Sequence, residues 1–159
     1  MAAERSTPEL LNRQELAAWR GMLRTYTLLQ RELETRLEAR DGLQNSSYEV
    51  LMHLSDAPEG RMRLSDLAAL AILSRSGLTR LIDRLEREGH VERERCPEDA
   101  RGYFAVLTDE GRARVDAARG EYLQDVRTLF LEQMTSEERD VLGSVWARVL
   151  AELEPGLEP

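Results

Sequence analysis

The sequence contains no lysine: its 22 cationic side chains are all arginine, set against 30 carboxylates in 159 residues. GC-rich codon usage is the simplest source of this bias. Its chemical consequence stands, because every cation carries a planar fork able to grip a phosphate or a guanine edge with two hydrogen bonds. Cysteine is nearly absent. Cys96 alone excludes an internal disulfide and suits a reducing, cytoplasmic setting. No apolar run approaches the ~20 residues that cross a bilayer, and the N-terminal MAAERSTPELL has no continuous apolar segment, so no membrane span or secretory signal is expected. Catalytic motifs are missing too: no Gly-rich phosphate loop, no nucleophile elbow, no paired histidines. His53, His90 and Cys96 are scattered rather than clustered, so no metal and no cofactor is expected. Most carboxylates cap helices or face arginines, and an enzyme is not expected.

What is present is charge, at 33% of residues, with a net value of −8. Such an excess works against indiscriminate polyanion binding. Its distribution is uneven. Residues 1–60 carry 7 Arg against 10 acids, residues 102–159 carry 6 against 12, and residues 61–101 carry 9 against 8. Only the middle third escapes acidity, and there a local basic surface is to be sought.

Apolar spacing and capping residues divide the chain. Ser6-Thr7-Pro8-Glu9 resembles a helix start, and Leu16, Trp19, Leu23, Tyr26, Leu33 and Leu37 continue a stripe ending near Asp41-Gly42. Ser46–Glu49 reads as a capping box for a helix through Val50, Leu51 and Leu54, stopped at Ala57–Gly60. Ser65 is expected to cap a short helix over 66–72, and Ser74 another from Arg75 to about Glu88, ended by Gly89. Val91–Cys96 and Tyr103–Leu107 read as two strands. Thr108 caps a helix to about Gln133, and Thr135–Glu138 opens a last one with a broad apolar stripe. The order is four helices, a hairpin and two helices.

Within the fourth helix, Leu78, Leu81, Ile82 and Leu85 have the spacing of a buried stripe. The opposite face then carries Arg75, Ser76, Thr79, Arg80, Asp83, Arg84 and Arg87, and Gly77 keeps its start flat. Such a face can enter a major groove about 12 Å wide. Arg75 or Arg80 can pair with guanine, Ser74, Ser76 and Thr79 can reach phosphates or bases, and Arg84 suits a phosphate. The plainer alternative is a solvated face, with Arg84 paired to Glu88 one turn on. A hairpin directly after this helix makes a wing. Arg101 at its tip suits a narrow minor groove, whose negative potential attracts arginine, and Asp99 can hold that guanidinium in place beforehand. A solvated turn with an incidental ion pair is the alternative.

The run Asp99-Ala100-Arg101 through Val106-Leu107-Thr108-Asp109-Glu110-Gly111, preceded by Leu73–Arg80 and Leu85–Gly89, resembles the recognition helix and wing of the MarR family (multiple antibiotic resistance regulators). Ala105 and His90 depart from its usual pattern, at a branched aliphatic and a large apolar position. The resemblance implies a mainly α fold with a small β-hairpin wing. It would form one domain over 1–159, with dimerisation helices at 8–41 and 109–154 and a winged helix-turn-helix lobe at 46–108. It also implies a homodimeric transcriptional regulator, by default a repressor, that binds pseudo-palindromic double-stranded DNA and is released by a small aromatic or anionic effector or by cysteine oxidation. The apolar stripes of the terminal helices support a dimer independently, since one chain of this size hardly covers them.

Trp19, Tyr26, Met52 and His53 lie on helices placed to meet such an effector, although each alone suits an ordinary core position. Cys96 sits beside Arg95 and near Arg93, which favour a thiolate, while inert packing is its plainer role. The competing reading is a winged helix that docks a protein instead of DNA. That reading requires exposed apolar anchors, which the recognition helix lacks and which Phe104 or Val106 on the wing can supply.

Overall fold

In the computed structural model, which describes residues 10–97, 99 and 102–153, the chain enters its first helix at Asn12. The Asn12 side chain accepts from the amides of Gln14 and Glu15, and Glu15 returns a bond to the Asn12 amide at 2.7 Å. This capping box starts α1 (Arg13–Asp41). The start expected at Ser6–Glu9 lies outside the described residues. At 29 residues, α1 is about 43 Å long, and only Leu33 and Leu37 near its C-terminus are buried.

Next come α2 (Asn45–Asp56), a 3-10 turn at Pro58–Gly60, β1 (Arg61–Arg63), α3 (Leu64–Leu70) and α4 (Arg75–Arg87). The chain continues through β2 (Val91–Arg95), β3 (Tyr103–Leu107), α5 (Asp109–Leu129), a 3-10 turn at Leu131–Gln133 and α6 (Ser136–Leu153). Two expected caps do not form. Ser46 lies inside α2, which starts one residue earlier. Ser65 lies inside α3 and hydrogen-bonds Asp66. Three others form as read: Ser74 Oγ accepts from Gly77 N, Thr108 Oγ1 from Gly111 N, and Thr135 shares a reciprocal box with Glu138. The expected single helix to Gln133 breaks at Phe130, whose backbone leaves the helical region.

The sheet is antiparallel in the order β1-β3-β2. Strand β1 was not expected, because three residues, Arg-Met-Arg, are too few to show alternation. It pairs Arg61 with Val106 and Arg63 with Phe104, while Arg93 of β2 faces Ala105. The core gathers the end of α1, helices α2 to α4, the inner face of the sheet and the first half of α5, with Leu37, Tyr48, Leu51, Leu54, Leu67, Ile82, Leu85, Val91, Ala105 and Val115 all buried. A Cβ at Gly111 would come within 2.0 Å of the His90 carbonyl oxygen. Only glycine therefore lets α5 start against the entry to β2. On the other flank of the core, α5 packs on α2 through Tyr122 and Tyr48, whose ring centroids are 4.3 Å apart. Burial pushes the Tyr122 hydroxyl up to about 12, so it stays protonated at neutral pH. No helix among the described residues is long and apolar enough to cross a membrane.

Candidate nucleic-acid interface

Four side chains, Leu78, Leu81, Ile82 and Leu85, bury one face of α4. At roughly 1.5–3 kcal/mol each, their burial far outweighs the ~1 kcal/mol of the Ser74 cap, so the stripe decides which face looks outward. That outward face carries Ser74, Arg75, Ser76, Thr79 and Arg80, all exposed. Ser74 caps the helix, and a Cβ at residue 77 would approach its oxygen to 3.0 Å, so Gly77 leaves room for the cap. The Thr79 hydroxyl donates to the Arg75 carbonyl at 2.8 Å and keeps its lone pairs for an incoming donor. Among the described residues no carboxylate pairs with Arg75 or Arg80. Arg75 therefore adds a full positive charge at the positive end of the helix, and Arg80 adds a second further along the same face.

Arg84 has partners within the lobe. Its guanidinium donates to Gln44 Oε1 at 2.5 Å and to Ser47 Oγ at 2.7 Å, half-buried between α4 and the start of α2. It ties two helices of the lobe together instead of joining Arg75 and Arg80, and it does not pair with Glu88, whose carboxylate lies 3.6 Å from His90 Nδ1. Sequence spacing put Arg84 on the polar side of α4, but the partner that claims it comes from a distant part of the chain.

The wing closes through its backbone. Cys96 N donates to Gly102 O at 2.9 Å, Gly102 N to Asp99 O at 2.9 Å, and Asp99 N to Cys96 O at 3.3 Å. A Cβ at Gly102 would lie 2.8 Å from Asp99 Oδ2, so the carboxylate occupies the place a side chain would take. Arg101, and with it the expected pairing to Asp99, lies outside the described residues. Cys96 is buried at the root of this loop, which fits packing. Between the wing and the start of α4 runs a groove of mixed lining, with Arg63, Ser65, Arg75, Thr79 and Asp99 beside Leu64, Leu78 and Tyr103. Arg63 escaped the sequence reading along with β1. Phe104 is not a bare apolar anchor, because the Arg61 and Arg63 guanidinium carbons lie 4.3 and 5.4 Å from its ring centroid and Arg61 reaches Glu94 at 3.2 Å.

The four expected effector contacts do not share one pocket. Trp19 and Tyr26, 52% and 63% exposed, line an apolar groove between α1 and α6 with Met22, Leu29, Phe130, Val145 and Trp146. Neither is intrachain core. Met52 packs against the core of the winged lobe, and His53 is half-buried on α2. The split arises because the first half of α1 extends beyond the lobe that holds α2.

A sequence profile of the MarR family matches residues 41–102. The HTH-type transcriptional regulator YdgJ of Bacillus subtilis (strain 168) is 34% identical over 114 residues, 72% of this chain and 68% of that protein. The HTH-type transcriptional repressor YetL of the same strain is 30% identical over 112 residues, 68% of this chain and 66% of that protein. Among solved structures, Sco3205, a MarR family transcriptional regulator from Streptomyces coelicolor crystallised in complex with DNA, superposes with a TM-score of 0.88 at 34% identity, covering 95% of this chain and 94% of that one. With this profile match, these levels of identity and a superposition over nearly the whole chain, the chain belongs to the MarR family of transcriptional regulators.

Proposed function

We propose that this regulator binds a pseudo-palindromic DNA operator as a homodimer and acts as a repressor released by a small aromatic or anionic ligand. The observation that carries DNA binding is the exposed face of α4, where Arg75 and Arg80 stand beside Ser74, Ser76 and Thr79 with no carboxylate partner among the described residues. Arginine of this kind reads guanine in a major groove, and hydroxyls at a helix start fix the backbone. Asp99 and Arg101 serve the wing, with Arg101 directed to the minor groove. Repression follows the direction named for YetL, and such a regulator works in the cytoplasm with the chromosome.

The homodimer is supported by α6, which has no buried residue, and by the apolar groove it forms with α1. In this reading 8–41 and 109–154 dimerise and 46–108 binds DNA. A two-fold axis then sets the recognition helices about 34 Å apart, for half-sites centred about 10 bp apart. The effector contacts assigned are Trp19 and Tyr26 at the groove and Met52 and His53 on α2.

Fluorescence anisotropy on labelled duplex from upstream of the protein's own gene, in a salt series, tests the reading. Affinity is expected to fall steeply with salt, and Arg80→Ala to lose about 1–3 kcal/mol on the specific duplex. Aromatic acids added to the complex should lower the anisotropy. Failure to bind this duplex and random genomic fragments alike, even at low salt, would replace DNA by a protein partner. The exposed Leu70 and Ile72 at the turn before α4 would then be its first contacts.

A further inference from the structure

Arg93 belongs to the wing, yet its guanidinium is bound to the recognition helix. Nη2 lies 2.7 Å from Asp83 Oδ1 and donates to the Thr79 carbonyl at 3.2 Å, and Nη1 donates to Glu86 Oε2. These three contacts spread over two turns of α4, and the Arg93 side chain is only 21% exposed. Its register partner on β3, Ala105, is buried. On the other face of the sheet, Arg61 reaches across Phe104 to Glu94, the next residue of β2. Strand β2 is thereby fastened on one side to α4 and on the other to β1.

We infer that Arg93 is a positioning residue for DNA binding: it braces the wing against the recognition helix, so that both meet the duplex as one rigid body. This rests on the DNA-binding reading above. A wing and a helix that address adjacent grooves must keep a set spacing, and a brace formed before binding lowers the ordering penalty on association. A purely electrostatic role makes the opposite claim about the acids. If Arg93 served only to cancel Asp83 and Glu86, neutral residues there would do as well or better beside a polyanion. Under the bracing role the two acids are needed, although they carry the charge of the DNA itself.

Anisotropy titrations at one salt concentration, on the tightest-bound upstream duplex and on a random duplex, separate these cases, with thermal melts to confirm folding. Arg93→Ala is expected to lower affinity for the specific duplex about tenfold or more and for the random duplex less than about threefold. Asp83→Asn with Glu86→Gln keeps the Arg93 side chain and removes two negative charges, and it too should bind the specific duplex more weakly. In an Arg101→Ala background, adding Arg93→Ala should change affinity less than about threefold, since the wing has then lost its contact. Tighter or unchanged binding by the Asn/Gln variant would overturn the brace, as would equal losses on both duplexes or full additivity with Arg101→Ala. Wild type that binds no duplex defeats the DNA reading itself, whereas wild type that binds with all variants matching it defeats the brace alone.

Discussion

At the scale of single residues, backbone conformation and close approach explain what composition does not. Ile72 ends α3 with a φ of 51° and is 86% exposed. Its amide donates to Ala69 O, and that of Leu73 donates to Ala68 O, a helix-ending pattern that places residue 72 in the left-handed region. A β-branched residue is strained there, by roughly 1–2 kcal/mol. Because so little of Ile72 is buried, Ile72→Gly removes strain without opening a cavity. Net of the extra freedom glycine has in the unfolded chain, it should raise stability by about 1 kcal/mol, read from urea or thermal unfolding. A melt unchanged or lowered would mean that the isoleucine side chain makes a stabilising contact. Gly102 and Gly111 are the reverse case, glycines that neighbouring oxygens hold in place.

At the scale of elements, α1 and α5 are joined by one carboxylate. Asp125 of α5 accepts from Arg36 and Arg40, a turn apart on α1, at 2.9 Å each. Burial pushes the Asp125 carboxyl upward, but the hydrogen bonds from Arg40 and Arg36 outweigh it and hold the group below the usual carboxylate range. A depressed folded-state value means the pair stabilises the fold at any pH above the unfolded carboxyl's range, and the contribution is lost as pH falls through the folded value. Asp125→Asn should therefore lower stability at neutral pH by about 1–2 kcal/mol, with the gap to wild type closing below about pH 4. Urea titrations at several pH values read this directly, and a gap independent of pH would locate the effect elsewhere. Helix starts were legible wherever a capping residue preceded a clear apolar stripe, as at Ser74, Thr108 and Thr135. They were misread at Ser46 and Ser65, where the helix is set by packing and needs no side-chain cap.

At the scale of the whole molecule, the chain leaves a face uncovered. Helix α6 buries none of its residues, and Trp19, Leu23, Tyr26, Val141, Val149 and Leu150 are exposed. Contiguous apolar surface of this kind marks an association site, and a two-fold axis lets one patch cover itself. Light scattering on wild type should give twice the chain mass. Tyr26→Asp, which replaces a side chain 63% exposed in the protomer, should shift the population toward one chain mass and weaken DNA binding without lowering helix content. A monomeric wild type would remove the two-fold operator reading while leaving the winged lobe intact.

Much of this protein was written locally. The stripe of α4 and its Ser74 cap made the exposed arginine and hydroxyl face legible, because helical periodicity assigns faces without knowledge of neighbours. The two strands of the hairpin were legible for the same reason, since turn residues and alternation act over a few positions. Contacts between elements were not. Which arginine is claimed depends on partners in other elements: Gln44 and Ser47, some forty residues earlier, take Arg84, while Asp83 and Glu86 of α4 take Arg93 from the wing. Strand β1 exists only because β3 offers it a ladder. The middle third had a charge count that favoured a basic surface, but only the tertiary structure separated arginines tied to other elements, such as Arg61, Arg84 and Arg93, from those on the outer face of α4, Arg75 and Arg80, which no carboxylate among the described residues pairs with.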